Sequence, residues 1–79
     1  MSSNFYKEVF KECEVFFGKE TENFLDRQIE WHLSKTSDTV DYSDKNDFAW
    51  WIKISAGLVL NKEDAEKLYN KVMAIKKPI

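Results

Sequence analysis

The sequence predicts an all-α fold: a small antiparallel four-helix bundle, with helices at about 4–17, 20–35, 44–60 and 62–76. Three observations carry this. Apolar residues recur every three to four positions along most of the chain, and period-2 alternation is absent. Glycine and proline number 2 and 1, so linker and low-complexity stretches are missing. Finally, Asp47–Leu60 is apolar on nearly every side of a helical wheel and needs cover from several directions. With 79 residues, the chain reads as one domain, 1–79.

In the first helix, Phe5, Tyr6, Val9, Phe10, Cys13, Phe16 and Phe17 fall on one face, with Ser2 or Ser3 as N-cap. Gly18 fits a stop in the left-handed region. The second helix opens with Glu20 and Glu22 at its positive dipole end. Leu25, Gln28, Ile29, His32 and Leu33 form its inward stripe, flanked by Phe24 and Trp31. A single glycine between these helices implies a hairpin; the alternative is a three-helix variant in which they run on through Gly18.

Residues Thr36 to Tyr42 lack helical periodicity and are rich in Ser, Thr and Asp, which favour turns. Val40 and Tyr42 are expected to fold inward and seal one end of the core. Ser43 is the expected N-cap of the third helix. On its wheel, Phe48, Ala49, Ile52, Ala56, Val59 and Leu60 make one apolar arc. Trp50, Trp51, Ile54 and Leu58 make a second. Asn61 caps the fourth helix, whose inner face is Ala65, Leu68, Tyr69, Val72, Met73 and Ile75.

A chain this short buries only about 60–65% of its extended surface, so its stability margin is thin. The usual supports are disulfides, a metal or a partner chain. One cysteine, Cys13, forms no internal disulfide and fits a reducing, cytoplasmic setting. The N-terminal residues show no signal-peptide pattern, and no run approaches the ~20 apolar residues that span a bilayer. The net charge of −2 argues against a nucleic-acid or anionic-membrane face.

His32 and Cys13 are the residues with reactive chemistry. His32 reads as a core-edge histidine, because a metal site needs more soft ligands than Cys13 supplies. Cys13 reads as a small buried hydrophobe. A Cys13–His32 nucleophile pair would lack an oxyanion hole. No P-loop, dinucleotide or HExxH motif is present, so neither catalytic residues nor a cofactor are assigned. Trp50 and Trp51 point about 100° apart, so one core buries both only by wrapping the helix. Tryptophan is enriched at interface hot spots, which makes Trp50, Trp51, Ile54, Leu58 and Trp31 the interface candidates.

Phe16-Phe17-Gly18 followed by Phe24-Leu25-Asp26-Arg27-Gln28-Ile29 resembles a small helical domain appended to bacterial and archaeal signalling proteins. The likeness covers residues 10–35 and implies a non-catalytic regulatory or assembly role.

The chain is therefore expected to be a non-catalytic protein–protein interaction or regulatory module, self-associating as a homodimer through a Trp-containing apolar surface. The alternative is a nucleic-acid-binding transcriptional regulator using Lys53, Lys62, Lys67, Lys71, Lys76 and Lys77; Glu63, Asp64 and Glu66 interleave these lysines, and nucleic acid is not the expected partner. Third is a small metal- or thiol-dependent enzyme.

Overall fold

The computed structural model describes residues 2–78. Among these residues there are helices and no strand. α1 spans Asn4–Phe17, α2 Thr21–Gln28, α3 Lys45–Val59 and α4 Lys62–Met73. The expected bundle of four separate helices gives way to three helical bodies. A 3-10 turn at Gly18–Glu20 joins α1 to α2, and a π-turn at Ile29–Leu33 prolongs α2. Helical hydrogen bonding therefore runs without a loop from Asn4 to Leu33, which fits the variant in which the first two helices continue through Gly18. The run is sharply bent there. Gly18 takes φ 55° and ψ −121°, a region open in practice to glycine because a Cβ would clash with the backbone. Thr21 Oγ1 donates to the Gly18 carbonyl at 2.7 Å and steadies the bend. The two arms lie against each other: Tyr6 Oη of α1 donates to Asp26 of α2 at 3.1 Å.

Side-chain caps explain the helix starts. Ser3 Oγ accepts from the Tyr6 N–H, and Asn61 Oδ1 accepts from the Asp64 N–H at 2.7 Å. The start of α3 differs from expectation. Asp41, not Ser43, is the cap; it forms a reciprocal capping box with Asp44 around a 3-10 turn at Tyr42–Asp44. Asp41 accepts from both the Ser43 N–H and its hydroxyl, which holds the Asp41 carboxyl below its ordinary range. Lys35 spans this turn and pairs with Asp44 at 2.8 Å. The last helix closes at Met73, short of residue 76, with the Ala74 N–H bonded to the Asn70 carbonyl. Beyond it, Lys45 Nζ donates to the Ile75 carbonyl at 2.8 Å.

α3 and α4 are the most closely packed pair, joined through only Leu60 and Asn61. α1 lies on α2 and α4, and α2 lies on α3. The core is drawn from all of them: Phe5, Val9 and Cys13; Leu25 and Ile29; Phe48, Ala49, Ile52 and Ala56; Leu68 and Val72. Burying each large apolar side chain contributes about 1.5–3 kcal/mol. The 36–42 connection does seal one end. Val40 is fully buried, Tyr42 lies 5.1 Å from the Phe5 ring, and its hydroxyl donates to Glu8 at 2.7 Å.

Candidate interaction surface on the third helix

The two apolar arcs of α3 meet different surroundings. Phe48, Ala49, Ile52 and Ala56 are all 0% exposed, because the stripes of α1, α2 and α4 converge on that side. Val59, on the same arc by helical angle, is 69% exposed because the helix ends there and nothing reaches over it. On the second arc Trp50 is 51%, Ile54 41% and Leu58 86% exposed. Trp31, from the π-turn, is 72% exposed. The structure thus places four of the five sequence-derived candidates, Trp50, Ile54, Leu58 and Trp31, at the surface.

Trp51, the fifth, is half-buried. Its indole stacks on His32, with ring centroids 3.7 Å apart and planes 4° from parallel. His32 is therefore not a core-edge residue on the inner stripe of α2; it is exposed and lies against α3. The π-turn is the cause. Its i→i+5 bonding widens the turn from Ile29 to Leu33, so the residue after Trp31 no longer falls where a 3.6-residue period puts it. Ser34 ends the turn in the left-handed region, φ 54°, with its N–H bonded to the Ile29 carbonyl. Nothing in Ile29-Glu30-Trp31-His32-Leu33 signals this, since it lacks glycine and proline.

Two surface grooves flank Leu58. One lies between α2 and α3 and is walled by Phe24, Gln28, Trp31, His32, Leu58 and Val59. The Phe17 and Phe24 rings, stacked at 4.2 Å, form its far end. At its floor Gln28, 6% exposed, accepts from Ser55 Oγ at 2.8 Å. The other groove lies between α3 and α4 and is lined by Trp50, Ile54, Gly57, Leu58, Lys62 and Ala65. Gly57 and Ala65 make it shallow-floored, and Lys53 borders it, its ammonium 5.8 Å from the Trp50 ring and 5.0 Å from the Tyr69 ring. Leu58 belongs to both grooves, so Trp31, Leu58, Val59, Ile54 and Trp50 form one continuous apolar surface. Taking roughly 150–250 Å² for each fully exposed large side chain, it offers on the order of 500–800 Å². That is at or above the upper end of what a monomer leaves open, about 300–600 Å².

Cys13 lies elsewhere. It is fully buried, and burial, then Glu12, pushes its thiol from 9.0 up to about 12. A reactive thiol needs the opposite environment. Cys13 and His32 share no hydrogen bond among the described residues. No group of three or more His, Cys, Asp or Glu side chains among those residues is placed to hold a metal ion. No helix among them is long and apolar enough to cross a membrane.

No protein-family model, curated protein or solved structure matches this chain. The resemblance of residues 10–35 to the signalling-associated helical domain accordingly has no family match behind it.

Proposed function

We propose that this chain is a non-catalytic interaction module that self-associates through the outward face of α3. The observation that carries it is the exposure of Trp50, Ile54 and Leu58 on the helix that also supplies the centre of the core. Leaving such side chains in water costs free energy that a second apolar surface recovers. A second copy is the partner that the area fits. A standard interface covers about 800 Å² per subunit, of which about 56–65% is apolar. The patch is large enough to supply that apolar share. The proposed setting is the cytoplasm, where a lone thiol stays reduced.

Light scattering on the purified chain across a concentration series is the test. A dimer that dissociates on dilution is expected. Leu58→Asp should give a monomer with its helical circular dichroism unchanged, because Leu58 touches little of its own chain at 86% exposure. A wild-type chain that stays monomeric at several hundred micromolar would refute self-association.

A further inference from the structure

The outward face of α3 has a further regularity that bears on how a second copy lies on it, and its meaning rests on the self-association proposed above. Within α3, Asp47, Trp50, Ile54 and Gly57 succeed one another at spacings of three, four and three, the repeat of a coiled-coil seam. The largest side chain of this seam, Trp50, and the smallest, Gly57, sit on opposite sides of Ile54 at nearly equal distance. The two ends of the face carry opposite charges, with Lys53 between them, its ammonium held over the Trp50 and Tyr69 rings of its own chain. Asp47 is exposed at the N-terminal end of α3, and Lys62 lines the groove at the C-terminal end. Glu63 does not line it.

We infer that two copies pair antiparallel along α3, about a two-fold axis near Ile54, with each Trp50 seated over Gly57 and against Leu58 of the other copy and each Asp47 beside the other's Lys62. A parallel pairing would set Trp50 on Trp50, leave both Gly57 positions facing each other as a void, and bring Asp47 against Asp47. The antiparallel pairing matches large to small and negative to positive at both ends, and it is isologous, so it closes at two copies. It also opposes the two helix dipoles. The absence of a Cβ at Gly57 is what lets an indole approach the α3 backbone closely.

The test uses cysteine substitutions in the full chain, with Cys13 kept, since it is buried. Asp47→Cys and Lys62→Cys chains are mixed, oxidised and resolved without reductant, while light scattering records the dimer. A disulfide between an Asp47→Cys chain and a Lys62→Cys chain, in excess of either chain linked to itself, is expected. A dimer in which Asp47→Cys links mainly to itself, or in which no mixed link forms, overturns the antiparallel arrangement and leaves self-association standing. A monomeric wild type overturns both. Charge exchange gives a second readout. Asp47→Lys or Lys62→Asp alone should raise the dissociation constant on the order of tenfold at low salt, and the two together should restore it within about twofold. Gly57→Phe should abolish the dimer with helicity intact; a dimer of unchanged affinity would overturn the seating of Trp50.

Discussion

α3 carries two apolar faces with opposite fates. Phe48, Ala49, Ile52 and Ala56 are sealed from water, whereas Trp50, Ile54 and Leu58, one to two residues away in sequence, are 41–86% exposed. Intrinsic hydrophobicity does not separate them, since the exposed face holds the larger side chains. What separates them is the supply of neighbouring stripes. The apolar stripes of α1, α2 and α4 join the core around Phe48, Ala49, Ile52 and Ala56, and on the other arc only Trp51 gains substantial cover, from His32. In a chain of this size, the helix apolar on every side exceeds what its own partners can cover.

The largest effect that tests this contrast lies in a pair of isoleucines two positions apart. Ile52→Ala should cost about 2–5 kcal/mol, the loss of a fully buried branched side chain and the cavity left behind. In a domain with a margin of about 5–15 kcal/mol, that is a large fraction. Ile54→Ala should cost less than about 1 kcal/mol in the monomer. Urea titrations on dilute protein would measure both, and equal costs would dissolve the distinction between the faces.

The pH dependence of the sealed side comes next. Burial raises the Cys13 thiol from its ordinary 9.0 to about 12. Between those values the unfolded chain binds fewer protons than the folded one, so stability falls as pH rises through that window and is unaffected below it. Tyr6 is shifted in the same direction by burial and then by Asp26, so the difference between wild type and Cys13→Ala isolates the thiol. Urea midpoints for the two proteins should converge as pH rises from 8 toward 11. A gap that is constant with pH would mean that the thiol is not sealed.

Ser55 marks the border between the faces. It is half-buried, and its hydroxyl satisfies Gln28 beneath it. Ser55→Ala should cost about 1–2 kcal/mol, mostly because the Gln28 carbonyl oxygen loses its partner in a nearly dry position. Combining it with Gln28→Leu should recover much of that loss. A double variant as unstable as the sum of the two would show that the cost is packing, not an unpaired amide.

Much of this layout is legible in local chemistry. Ser3 and Asn61 cap their helices because each can accept from an otherwise unpaired N–H, and Gly18 holds the bend that other residues resist. The two arcs of α3 follow from its 3.6-residue period. Which arc is covered is not legible, because that depends on where three other helices converge. The misplacement of His32 has a different origin. A π-turn adds one residue to the hydrogen-bonded ring without any breaker residue, so a wheel drawn at 100° per residue keeps counting as if nothing had changed. The Asp41 cap escapes the sequence for a local reason: Ser43 and Asp41 both suit the role, and only the capping-box return from Asp44 decides between them.

The smallest expected effect is also the one whose sign differs between the faces' two roles. Gly57 is an exposed glycine inside a helix, with an ordinary helical φ. A Cβ built there would find Ala65 Cβ at 4.0 Å and nothing closer, so alanine fits without displacement. Gly57→Ala should therefore stabilise the monomer by about 0.5–1 kcal/mol, through the smaller backbone entropy lost on folding. If the indole of a second copy rests on that backbone, the added methyl pushes it outward, and the same substitution weakens the dimer. Chemical denaturation of dilute protein and dilution-dependent light scattering would then move in opposite directions. Were both to rise together, Gly57 would be an imperfection of the helix and not a seat for Trp50.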